Sequence, residues 1–155
     1  MKQILLSDGQ FTFVSEIDFL FLVAFNWHLA QGYVSRSKRI NRSSRKIRMQ
    51  NIVATRMGLE GLIDHIDRNK LNNQRSNLRV ASGSQNSSNR GMLIGNTSGY
   101  KGVTKLGLKW QAQIGLDGKK IYLGLFETPE AAAKEYNKIA LQLFGEFAFQ
   151  NEITK

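Results

Sequence analysis

Residues 64–86, DHIDRNKLNNQRSNLRVASGSQN, decide how this chain is read. An Asp-His pair, Asp64 and His65, opens the stretch; Asn77 follows twelve residues after the His and Asn86 nine residues later. Those residue types suit one chemistry. Asp supplies a hard anionic oxygen and an Asn amide a neutral one, the donors that small divalent cations prefer. A neutral His beside them can take a proton from water near pH 7. The combination fits metal-assisted cleavage of a phosphodiester.

The local pattern places these residues on elements. IDHI reads as a short strand, RNKLNNQRSN as a polar loop held by Leu71 and Leu78, and LRVA as a second strand. Ser82 with Gln85 three residues on matches a capping box, so a helix is predicted to start there. In that β-loop-β-α unit Asn86, Asn89 and Arg90 share one helix face. A divalent ion between Asp64 and Asn86 would complete its shell with water and phosphate oxygens, which suits Mg²⁺, with Mn²⁺ as a substitute. His65 would be the general base, and Asn77 would hold its ring, directly or through its backbone. Asp67, Asn72 and Asn73 could support the site residues or contact phosphate, but turn formers are the favoured reading. His28, after Trp27, reads as a half-buried structural residue.

The bulk composition points to a polyanionic partner. The 155 residues carry 22 Lys+Arg against 12 Asp+Glu, a net charge of +10 and a sequence pI near 10.1. Such an excess favours nucleic acid first and a membrane surface second. With no Cys, disulfides, thiol catalysis and Cys-ligated zinc are excluded, which fits an intracellular protein. No apolar run approaches the ~20 residues of a membrane span, and the start MKQILLSDGQF is too polar beyond Leu6 for a secretory signal.

N-terminal to the central motif, residues 4–6, the turn Ser7-Asp8-Gly9 and FTFV read as a hairpin, and residues 16–25 as a short buried helix. Residues 27–35 and 46–53 read as strands. Between them RSKRINRSSRKIR, carrying Arg36, Lys38, Arg39, Arg42 and Arg45 and no acid, reads as a self-repelling surface loop that clamps a nucleic-acid backbone. C-terminal to the motif, residues 92–98 read as a linker. Three strands follow, at 101–105, 109–115 and 120–126, with a turn at Asp117-Gly118. Trp110, Ala112, Ile114, Ile121, Leu123 and Leu125 are expected inward. A helix capped by Thr128 with Pro129 at its first position is predicted to run to Gly145.

Two resemblances follow from these residues. DHID, LNN, RSNLR and SQN resemble the zinc-free HNH endonucleases of phage and intron homing type. The resemblance implies metal ligation by Asp64 and Asn86, a His65 base, and Asn77 as its positioner. Two positions depart from the pattern: Met49-Gln50-Asn51 stands where a His-Arg pair is usual, and Arg68 where Gly is common. Residues 99–151, with Y-K-G-V, W-x-A-x-I, Y-L-G-x-F and F-G-x-x-A-x-x-N, resemble the APETALA-type DNA-binding domain of plant ethylene-response factors. That resemblance implies a sheet face of Lys101, Thr104, Lys105, Lys109, Gln111, Gln113, Lys120 and Tyr122 that contacts duplex DNA, and Arg90 on the preceding helix is expected to contact DNA as well.

The expected architecture is α+β. A β-rich N-terminal module leads into a ββα-metal nuclease core at about 62–90 within residues 1–91. The 92–98 linker joins it to a three-stranded antiparallel sheet packed on one helix at 99–151. The expected function is a monomeric, Mg²⁺-dependent, zinc-free DNA endonuclease of a phage or mobile element. The runner-up is a DNA-binding regulator that keeps the nuclease fold without cutting.

Overall fold

A computed structural model describes every residue except 42, 93–94 and 154–155, so Arg42 and part of the expected linker lie outside the described residues. The chain divides into two compact units, Met1–Ala81 and Ser82–Lys155, a division that falls upstream of the expected linker.

In the first unit the N-terminal hairpin forms as read: β1 (Lys2–Leu5) pairs antiparallel with β2 (Phe11–Val14) across a turn in which Gly9 takes φ +84°. The expected helix is α1 (Glu16–Leu22), but it is not buried as expected: only Asp18 and Leu22 are buried, and Ile17, Leu20 and Phe21 are exposed. The strand expected at 27–35 is instead a hairpin of β3 (His28–Ala30) and β4 (Tyr33–Ile40). Gln31 and Gly32 both have positive φ, 55° and 76°, the pair of left-handed residues that a tight two-residue hairpin turn requires. His28 is half-buried on β3.

The basic tract is no loop. It forms the arms of a second hairpin, β4 with β5 (Ser43–Arg48), in register from Ser35↔Arg48 to Ile40↔Ser43. Lys38 lies directly opposite Arg45, a like-charge pair that an intervening anion would relieve. The strand expected to continue through 46–53 ends at Arg48 and becomes α2 (Met49–Arg56). Its buried residues, Met49, Gln50, Val53 and Ala54, follow a helical spacing that the β-branched Ile52 and Val53 disguise.

Two further strands, β6 (Leu62–His65) and β8 (Leu78–Ala81), pair antiparallel. Between them the two-residue β7 (Asn72–Asn73) joins the free edge of β2 in parallel. The core gathers Val14, Leu22, Trp27, Met49 and Val53, each of which contributes about 1.5–3 kcal/mol on full burial of a large apolar side chain. Asp18 on α1 is also fully buried and paired with Arg56 of α2 and with Arg75 on a single helical turn, Arg75–Asn77.

The second unit starts with α3 (Gly83–Asn89), whose capping box forms as expected: Gln85 N donates to Ser82 Oγ and Ser82 N to Gln85 Oε1. Three antiparallel strands, β9 (Val103–Leu106), β10 (Lys109–Leu116) and β11 (Lys119–Phe126), form a sheet in the order β11-β10-β9. α4 (Pro129–Phe144) packs on it through Ala132, Ala133, Tyr136 and Ala140. Thr128 caps α4 and Gly145, φ +52°, ends it. α3 belongs to this unit: Ser84 Oγ bonds the Asp117 carboxylate and backbone N–H at the β10–β11 turn, and Phe149 N donates to Ser88 O.

Two details correct the expected faces. A bulge in β11 pairs Gln113 with Tyr122 but Ala112 with Gly124. Leu125 therefore falls opposite Gln111 on the outer face, 46% exposed, where alternation alone puts it inside. Lys105 pairs with Trp110 and holds its ammonium 5.8 Å from that ring's centroid, so it leaves the outer face.

Gly102 is fixed by packing. At φ +76°, an added Cβ would overlap the Tyr136 ring and lie 2.6 Å from the Gln113 carbonyl oxygen. Overpacking at about 1–3 kcal/mol and left-handed strain at about 1–2 give Gly102→Ala an expected cost of about 2–5 kcal/mol. Calorimetric melting of the variant would check this; an unchanged transition would show that Tyr136 can yield.

Candidate active site

Asp64 and His65 end β6, and both are buried, 5% and 4% exposed. Cross-strand register sets Asp64 opposite Arg79 and His65 opposite Leu78. Arg79 Nε lies 3.1 Å from Asp64 Oδ2, so the carboxylate sits in a positive environment. Gln50, at the position where the pattern expects His, is buried on α2 and donates from Nε2 to the Ile63 carbonyl at 3.1 Å. That bond grips β6 one residue before Asp64, so Gln50 fills a strand-anchoring role.

The loop between the strands is closed by Asn77. Its Nδ2 donates to Asp67 Oδ1 and to the Asn72 carbonyl, both at 2.8 Å, and its Oδ1 accepts from Asp67 N at 3.0 Å. Through its backbone carbonyl, Asn77 accepts from Ile66 N, next to His65. Asp67 also accepts from Asn69 N and Asn72 Nδ2, the turn chemistry read for it from the sequence. Arg68 adopts φ +65°, so the loop keeps a left-handed turn without its usual Gly.

The side chain that meets the imidazole is Asn73, for which the sequence favours a turn over a supporting contact at the site. Asn73 Oδ1 lies 3.3 Å from His65 Nε2. Both Asn73 Nδ2 protons are committed, to Thr12 Oγ1 and the Lys70 carbonyl, and Thr12 in turn donates to the Leu71 carbonyl. The amide oxygen facing His65 can only accept, so this network assigns the ring proton to Nε2 and leaves Nδ1 as the basic nitrogen. Burial holds His65 below the usual imidazole value, against the opposing pull of Asn73 and the Asp67 and Asp64 carboxylates. The ring is therefore neutral at pH 7, as a general base requires. The signal for Asn73 was its parallel pairing to β2 through a two-residue strand, a long-range contact that no local pattern encodes.

Asp64, His65 and Asn77 thus come together in the first unit, while Asn86 lies on α3 in the second. Among the described residues no group of three or more His, Cys, Asp or Glu is placed to hold a metal ion.

In the second unit Thr104, Lys109, Gln111, Gln113, Lys120 and Tyr122 share the outer sheet face. Lys109 is paired with Glu127 at 2.7 Å, which raises its pKa. Lys101 leaves the expected set: its ammonium donates to the carbonyls of Ser87, Ser88 and Arg90 and so closes the C-terminal end of α3. In the basic hairpin, Arg36 stacks 3.9 Å from the Phe25 ring centroid, whereas Lys38, Arg39 and Arg45 are exposed.

The frame is thus a buried Asp-His strand end, a paired strand and an Asn-closed loop. The HNH endonuclease family profile matches residues 60–88, which cover β6, the loop, β8 and most of α3. The chain is 35% identical over 152 residues to an uncharacterized HNH endonuclease of Acanthamoeba polyphaga mimivirus, an alignment that covers 94% of this chain and 76% of that relative. The chain belongs to the HNH endonuclease family. No solved structure matches it, and among the described residues no helix is long and apolar enough to cross a membrane.

Proposed function

We propose that the protein is a divalent-metal-dependent DNA endonuclease of the homing type, acting as a monomer on duplex DNA. The observation that carries this reading is the buried His65, with Nε2 3.3 Å from Asn73 Oδ1, next to the Asp64 carboxylate. Asp64 and Asn86 are the proposed metal ligands, a hard all-oxygen donor set that suits Mg²⁺ or Mn²⁺ and offers no sulfur for zinc. A cation held there supplies charge neutralisation at the phosphorus and the leaving oxygen. His65 Nδ1 accepts the proton of the attacking water, Asn73 keeps the ring oriented, and Asn77 keeps the loop closed beneath it. Gln50 anchors β6 through its side-chain amide at the position where His is usual.

The second unit is proposed as the targeting module, an APETALA-type domain whose outer face, with Arg90, rests on the duplex. Arg39, Lys38 and Arg45 of the hairpin add phosphate contacts. Lys in place of Arg at such positions predicts modest base discrimination.

Supercoiled plasmid incubated with the full chain should be nicked or linearised with Mg²⁺ or Mn²⁺, and left intact when EDTA is present. Binding without cutting under either ion would remove the nuclease and leave a DNA-binding regulator.

A further inference from the structure

Three side chains meet beside His65 that the reaction above does not use. Tyr33 opens β4, Arg48 ends β5, and Lys70 lies in the loop after β6. Arg48 Cζ is 4.1 Å and Lys70 Nζ 4.0 Å from the Tyr33 ring centroid, and that ring lies 6.5 Å from the His65 ring. All three side chains are half-buried. Among the described residues neither cation has a carboxylate within ion-pair distance. Arg48 also lines an open cleft of about 480 Å³ with Lys46, Ile47 and Asn51, which gives solvent access to its side.

The arrangement suits an anion. Cations gathered on one ring centroid are at most about 8 Å apart, about one screening length at physiological salt, so part of their repulsion persists. The face of Tyr33 attracts each cation but cancels neither charge. Three separate segments converge to hold the pair.

We propose that Tyr33, Arg48 and Lys70 form a backbone-phosphate subsite for the strand being cut, set beside His65. The inference rests on the nuclease reading for its role in cleavage. The ring holds two cationic donors for the phosphates of one strand, and the bound strand then presents its scissile bond to the imidazole.

The test uses the full chain and a short labelled duplex in EDTA, so that binding is measured without cutting. Arg48→Met and Lys70→Met keep the apolar stem on the ring and remove the charge. Between about 50 and 200 mM salt each should lower the slope of log affinity against log salt by about 1, and the double variant by about 2. Arg48→Lys, which keeps the charge, and Tyr33→Phe, which keeps the ring, should retain the wild-type slope and serve as folding controls. With Mg²⁺ and saturating protein, plasmid nicking by either Met variant should fall about tenfold or more, because a misplaced strand stays misplaced once bound. Unchanged slopes overturn the subsite. Lower slopes with undiminished nicking at saturation also overturn it, since the phosphate held would then be remote from the cut. A wild type that never nicks defeats the nuclease reading, and the salt slopes alone then decide whether the cluster grips phosphate.

Discussion

His65→Ala is expected to slow plasmid nicking by about 10²–10⁴-fold, the usual worth of a general base, with duplex affinity unchanged. The separation follows from burial: His65 is 4% exposed and cannot be a major phosphate contact in its own right. The pH profile carries more information than the rate alone. Burial depresses the ring's pKa from 6.5, so the acid limb of the wild-type profile should lie below that value. Asn73→Asp places a carboxylate on Nε2–H, stabilises the imidazolium and should move the limb upward. A purely structural Asn73 would lower the rate without moving the limb. The same depression has a consequence for stability. The unfolded chain takes up the proton first, so this contribution is present above 6.5 and lost as pH falls through the lower native value.

Much of the site was legible because its residues lie close in sequence and its elements carry local signals. Ser82 and Gln85 announced α3, Asp117-Gly118 the β10–β11 turn, and Thr128-Pro129 the start of α4, each through chemistry complete within four residues. What escaped depends on long-range contacts. Asn73 looks like any loop Asn until β7 docks on β2, 59 residues away in sequence (73 − 14), and aims its amide at His65. The Arg-rich tract lacks an apolar alternation to mark it as a hairpin, and Gln31, a residue seldom left-handed, hid the turn before it. Leu125 was misplaced because one extra residue in β11 reverses the alternation beyond it. Lys101 was read as a surface charge because its partners are backbone carbonyls, which have no sequence signature.

Asp18→Ala should be the most damaging single change to the first unit. Asp18 is fully buried, with Oδ1 2.7 Å from Arg56 Nε and Oδ2 2.7 Å from Arg75 Nε, and Arg75 Nη2 adds a third bond at 2.9 Å. One carboxylate thereby ties α1, α2 and the turn that carries Asn77. Removing one member of a buried ionic cluster costs about 3–5 kcal/mol. The two Arg side chains are 34% and 29% exposed and can turn partly to water, which favours the lower end, about 3 kcal/mol. Urea unfolding should show the loss as a lower midpoint at an unchanged slope. Arg56→Ala should cost less, because the carboxylate keeps Arg75.

Acid titration gives the second signature. Hydrogen bonding from Arg75, reinforced by Arg56 and opposed by burial, holds the Asp18 carboxyl below its usual 3.8. A depressed native pKa means stability that is present above 3.8 and lost as pH falls through the native value, well below the arm that belongs to His65. Asp18→Asn should remove the lower arm and leave the upper one. If the midpoint of Asp18→Ala matched wild type, the cluster would be neutral bracing rather than a fastening, and the position of Asn77 would have to rest on the Asp67 loop alone.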